Sequence, residues 1–273
     1  MKSTRVLFAS LALLLAVALF PAGLTANHRW GKYHWARSSN PLLLTIADNV
    51  DSNWNSHLSG SVSDWNDSTV LSLSTINGGK DPVSCAPTLG RVDVCNAPYG
   101  NNGWLGIAQI WISSGSHIVQ AITKVNDTYF NTPAYDSDAW RRFVMCQEVG
   151  HAFGLDHQDE NFSNTNLGTC MDYTDDPDGT NDGQLSNLTP NAHDYEMLVS
   201  IYSHLDGAGG GGGGRGRSGG AGAMPTLPPQ VPDYTPGNDQ SSWGRLVARH
   251  GRLAKYVLDL GNGNFVVTVV ISA

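Results

Sequence analysis

Between Gly207 and Pro236 the chain loses any capacity to build a packed core. Glycine dominates to Gly222, with six in a row from Gly209, and proline recurs from Pro225 to Pro236. Gly-rich backbone behaves as flexible coil and Pro-rich backbone as a stiffer, extended spacer. Residues 207–240 therefore read as a linker between a large N-terminal part, residues 27–206, and a short tail, residues 241–273. The tail reads as two or three strands, with Leu260–Asn264 as the hairpin turn between Lys255–Leu258 and Phe265–Ile271. So few strands cannot form a core alone, which predicts docking on the main domain or on another chain.

At the other end, Lys2 and Arg5 precede an apolar run from Val6 to Phe20, and Ala26 suits the last position before a cut. That is the pattern of a secretory signal peptide over residues 1–26. The run is shorter than the roughly 20 apolar residues that span a bilayer, so the mature chain is expected to be secreted, with no membrane association after cleavage. Asp and Glu number 24 against 16 Lys and Arg, a net charge of −8, which argues against nucleic acid or an anionic membrane surface as a partner. Four cysteines in an exported chain favour disulfides over free thiols. Proximity favours Cys85 with Cys95, leaving Cys146 with Cys170, a loop of about 25 residues whose closure is worth roughly 3 kcal/mol.

Periodicity orders the main part as a strand at Leu42–Ile46, a helix at Ser52–Trp65, and a strand at Thr69–Ile76. A long loop follows, containing a short strand at Arg91–Cys95, and then strands at Leu105–Ile112 and His117–Val125. Asp136 or Ser137 caps a helix that runs to Phe153, and Gly154 supplies its stop. Residues 161–186 are loop, and Thr189-Pro190 is expected to open a last helix through about Tyr202.

Chemistry concentrates in Met145-Cys-Gln-Glu-Val-Gly-His-Ala-Phe-Gly-Leu-Asp-His-Gln158. Gln147 and His151 are four apart and share a helix face, with Glu148 beside it. Gly154 ends the helix and permits a left-handed turn, so His157 can swing back toward His151. Three side chains are then expected to converge on one metal.

This segment resembles the metzincin zinc metalloproteases, the group that includes astacins, serralysins and matrixins. Their pattern His-Glu-x-x-His-x-x-Gly-x-x-His is followed by a Met-containing turn beneath the metal. Here Gln147 stands where the family has its first histidine, and Thr169-Cys-Met-Asp-Tyr173 looks like the turn, with Met171 as the floor. The likeness covers roughly Trp35 to Leu205, its specific motifs residues 147–173. It implies an α+β fold: a twisted mixed sheet with an active-site helix, a Met-turn and a C-terminal helix, to which the linker and β-hairpin tail are added. It further implies Zn2+ on Gln147, His151 and His157, Glu148 as general base, and Tyr173 as an aid to the oxyanion. Protein or peptide would be the substrate, with an extended chain pairing along the Leu105–Ile112 edge. A Cys146–Cys170 bond would tie the metal-bearing helix to the floor of the site.

Other features carry blander readings. His28, His34, His57, His117, His193, His204 and His250 have no ligand spacing and are assigned to surface or core roles. Asp159 is a minor candidate ligand. The aspartate-rich run Asp172–Asp182 admits calcium weakly, because its Gly falls in the wrong register and no Glu closes the loop. Asn66, Asn126, Asn161 and Asn187 lie in glycosylation sequons. Two functions fit the whole: a secreted zinc-dependent endopeptidase, or, because of Gln147, a catalytically impaired module that binds peptides or surface partners. Oligomeric state and cleavage specificity have no sequence signal.

Overall fold

A computed structural model describes residues 27–206 and 234–273; the signal-peptide reading and most of the linker lie outside the described residues. The fold is α+β, built on one mixed sheet. Its strands are β1 (His34–Trp35), β2 (Leu42–Asn49), β3 (Leu71–Asn77), β4 (Arg91–Ala97), β5 (Trp104–Ser113), β6 (His117–Asn126), β7 (Arg245–His250), β8 (Leu253–Gly261) and β9 (Asn264–Ser272). They lie in the order β3-β2-β4-β6-β5-β9-β8-β7, with β1 pairing β6. Pairs among β1, β2, β3, β4 and β6 are parallel, and β5 and the three tail strands are antiparallel to their neighbours.

The tail is thus an extension of the main sheet. β9 pairs with β5 from Trp104↔Ser272 to Ile112↔Phe265. This corrects the expectation of a free Leu105–Ile112 edge for substrate: β5 is an interior strand, buried along its whole length. The physical reason is mutual. An exposed apolar edge demands a partner, and a three-stranded tail without its own core needs a sheet to join. Side chains alternate along β5, so Ala108, Ile110 and Ile112 enter the helix-side core. Ile107, Gln109 and Trp111 lie on the other face, where buried Gln109 Nε2 donates to Thr268 Oγ1 of β9 at 3.0 Å. Residues 234–243 cross this second face: Trp111 and Trp104 donate to the carbonyls of Tyr234 and Asn238, at 3.1 and 3.0 Å. The Cys85–Cys95 disulfide, formed as expected, closes the loop beside them.

Helices α1 (Asn55–Trp65) and α3 (Asp138–His151) pack on the first face; a single-turn α2 (Asp127–Phe130) and α4 (Ala192–Ile201) complete the set among the described residues. Ser137 caps α3 by accepting from the Trp140 N–H. The last helix starts later than expected. Its cap is Asn191, not Thr189, and Asn191 and Asp194 form a reciprocal capping box that satisfies the first-turn donors. Of the sequon asparagines, Asn126 and Asn187 are buried, so only Asn66 and Asn161 stand at the surface.

Candidate metal centre

The elements above bring the expected residues together. Helix α3 carries Gln147, Glu148 and His151, all fully buried, and ends at His151. Gly154 takes φ +94°, and a side chain there would strike the Tyr33 carbonyl. The chain then turns back to set His157 Nε2 3.0 Å from His151 Nε2. The Thr169–Tyr173 turn lies against the helix. Gln147 Nε2 donates to the Cys170 carbonyl at 2.9 Å and more weakly toward Asp172, and the Cys146–Cys170 disulfide locks the same two segments. With both sulfurs bonded, neither cysteine is a thiolate ligand. Met171 Sδ and the Trp65 ring lie so close to Gly150 that a Cβ there would sit 2.7 and 2.5 Å from them. Gly150 is therefore required for the turn to approach, a role that sequence reading missed because nothing local distinguishes it from any helical glycine.

Tautomers and orphaned atoms define what this cluster can hold. The Leu155 carbonyl can only accept, so His151 Nδ1 carries the proton in their 2.9 Å bond and Nε2 is left with a lone pair. Two imidazole nitrogens at 3.0 Å lie near the roughly 3.3 Å edge of a tetrahedron with zinc–nitrogen bonds of about 2.0–2.1 Å. Gln147 has spent its amide hydrogens on the turn, and its Oε1 has no hydrogen-bond partner among the described residues. Both Glu148 carboxylate oxygens and the Tyr173 hydroxyl are buried without one as well, while His157 Nδ1 faces Asp156 Oδ1 at 3.6 Å. Leaving so many buried polar atoms unsatisfied costs roughly 1–3 kcal/mol each, so the donor set fits a cation with coordinated solvent. Burial pushes Glu148 and Tyr173 well above their ordinary pKa values, and burial together with His157 holds His151 well below its own.

Asp159 is not part of this centre. Its oxygens accept from the Asn161 N–H and the Asn164 side chain, so it caps its own loop. Asp156 and Glu160 instead lie beside His157. The calcium reading of the aspartate run finds no support either: Asp176 accepts from the N–H groups of Asn181 and Asp182 and from the Asn181 amide, closing the loop on itself.

The centre is covered. Trp30 stacks on His151, ring centroids 5.0 Å apart, and its backbone N–H donates to the Gly154 carbonyl. Tyr173 stacks on His157, and Phe162 packs on Tyr173. The tail closes over this loop, with Lys255 Nζ 2.6 Å from Asp156 Oδ2 and the Arg252 guanidinium over Phe162. Burial alone would raise Asp156, but His157 and Lys255 hold its carboxyl far below the usual range.

No family model matches the chain, and no curated protein matches it. Among solved structures the chain is similar to that of myroilysin, at 14% identity over 64% of this chain and 98% of the other, with a TM-score of 0.34. At that identity and score the likeness carries no functional argument. Two disulfides are present, and among the described residues no helix is long and apolar enough to cross a membrane.

Proposed function

We propose that the chain is a secreted zinc-dependent endopeptidase held in a covered form. The observation that supports it is the 3.0 Å approach of the His151 and His157 Nε2 atoms beside a helix that buries an amide oxygen and a carboxylate without hydrogen-bond partners. Gln147 Oε1, His151 Nε2 and His157 Nε2 would hold the zinc. When bound, zinc polarises a scissile carbonyl and lowers the pKa of water. Glu148 is the proton carrier: its carboxylate takes a proton from the attacking water and delivers it to the leaving amine. The Tyr173 hydroxyl donates to the oxyanion of the tetrahedral species. The disulfide and the Gln147 clasp keep helix and turn in register, so these groups need no reorganisation during the reaction.

Substrate cannot reach this point while Trp30 lies on His151 and the tail lies on the 156–162 loop, so turnover requires one cover to lift. A second reading, a catalytically silent binding module, is favoured by the occupied β5 edge. The experiment that separates them is digestion of an unstructured protein by the zinc-loaded full chain and by Trp30→Gly. Each is run beside the same chain carrying Glu148→Ala. Glu148-dependent cleavage that rises in Trp30→Gly supports the peptidase. No cleavage above the Glu148→Ala background in either chain, with zinc bound, leaves the module.

A further inference from the structure

Three histidines without sequence spacing come together at the surface where the N-terminal segment, the β5–β6 turn and the end of α4 meet. His34 Nε2, His117 Nε2 and His204 Nε2 lie 3.3, 3.2 and 3.5 Å from one atom, Asp206 Oδ1. The ligand atoms of His34, His204 and Asp206 lie within 4.8 Å of one another, and the group lines a cleft of about 410 Å³. We propose that His34, His204 and Asp206 form a second zinc site, independent of the centre on α3, with His117 beside it on Asp206.

The distances have the right size. A tetrahedral ion with bonds of about 2.0–2.1 Å has ligand–ligand edges of roughly 3.3 Å, and the His34 and His204 separations from Asp206 Oδ1 fall beside that value. The protonation pattern points the same way. His34 Nδ1 lies 2.7 Å from the Lys32 carbonyl. A carbonyl only accepts, so Nδ1 carries the hydrogen and the neutral ring turns a lone pair toward Asp206 Oδ1. A lone pair facing a carboxylate oxygen is repulsive unless a proton or a cation lies between them. A cation at that point would accept the His34 lone pair and bind Asp206 Oδ1 together.

The support around the ligands is that of a built site. Asp206 Oδ2 accepts the Arg37 N–H at 2.9 Å, while the Asp206 N–H donates to the Arg37 carbonyl at 2.7 Å, leaving Oδ1 for the imidazoles. The Arg37 guanidinium donates to the carbonyls of Tyr202 and His204, which fixes the segment that carries two of the ligands. His34 and His117 are directly paired in the β1–β6 register. Such outer contacts orient metal ligands. Two imidazoles and one carboxylate form a three-ligand set that leaves a fourth position for water or for a small shift of His117. The ion would staple the segment bearing Trp30 to the end of α4, and so hold the cover of the α3 centre in place.

The test is metal stoichiometry on the untagged full chain after chelation, dialysis and reloading with Zn2+, beside His204→Ala and beside Asp206→Asn. The His204 side chain is 54% exposed, and the amide introduced by Asp206→Asn keeps an oxygen for the Arg37 N–H, so both variants should retain the parent's circular dichroism. The expected result is one zinc equivalent fewer in each variant than in the parent, whatever the occupancy of the α3 centre. Cobalt-loaded parent should lose one tetrahedral visible band set in the variants, and apo parent should be cut faster near residues 27–40 in limited proteolysis. Equal stoichiometry in parent and folded variants would overturn the proposal and leave the cluster a hydrogen-bonded histidine–aspartate group.

Discussion

Truncating Ile271 tests whether the tail is part of the folded unit. Ile271 is 1% exposed in β9, opposite Gly106 of β5 and Leu253 of β8, and belongs to the helix-side core. Ile271→Ala removes three buried carbons from a strand held on both sides, so the backbone cannot close over the void. The upper part of the range for such truncations applies, about 3–5 kcal/mol. That is a large share of the roughly 5–15 kcal/mol that holds a domain together. With a urea slope of about 2 kcal/mol/M, the midpoint should fall by about 1.5–2.5 M. Trp fluorescence reports both parts, since Trp243 lies in the tail region and Trp65 and Trp111 in the body. Far-UV circular dichroism should give the same transition. A midpoint shift under about 0.3 M, or an early transition confined to the tail that leaves the main one unmoved, would refute a single cooperative sheet.

Lys124 is buried in β6, where desolvation lowers its pKa to about 8 and Nζ donates to Asn238 at 2.8 Å. Between pH 8 and about 10.5 the unfolded chain binds more protons than the folded one, so stability should rise with pH across that window. Lys124→Met relieves about 3 kcal/mol of burial cost at pH 7, less about 1 kcal/mol for the lost hydrogen bond. Its advantage of about 2 kcal/mol should be lost as the pH rises to about 10.5, leaving the variant about 1 kcal/mol less stable above it in urea titrations, and a constant difference would contradict the assignment. Gln147→His should tighten zinc binding at the α3 centre by at least about tenfold in chelator competition, because imidazole is the stronger donor for zinc; unchanged affinity would show that Gln147 is not a ligand.

What the sequence revealed and what it hid follow one physical rule. Where the determinants are close in sequence, as in the Gln147–His151 helix face, the Gly154 stop, the His157 return and both disulfides, spacing alone anticipates the geometry. The β5–β9 pairing lies beyond that reach: β5 reads as a strand whether its edge is bare or covered, and its partner stands some 160 positions later, past the linker. The same holds for His34, His117, His204 and Asp206. They come from separate parts of the chain, and only the β1–β6 register and the Arg37 clamp bring them together. Trp30 has no local signal that marks it for the centre, yet it covers His151.

The central claim is that Glu148 carries the proton in peptide hydrolysis at the α3 centre. Its most direct test is the rate of cleavage of a quenched fluorescent peptide pool by zinc-loaded Trp30→Gly chain, compared with Trp30→Gly/Glu148→Ala at equal zinc content. The rate should fall by at least about 100-fold when Glu148 is removed, with zinc stoichiometry and circular dichroism unchanged. Equal rates in the two chains would contradict it.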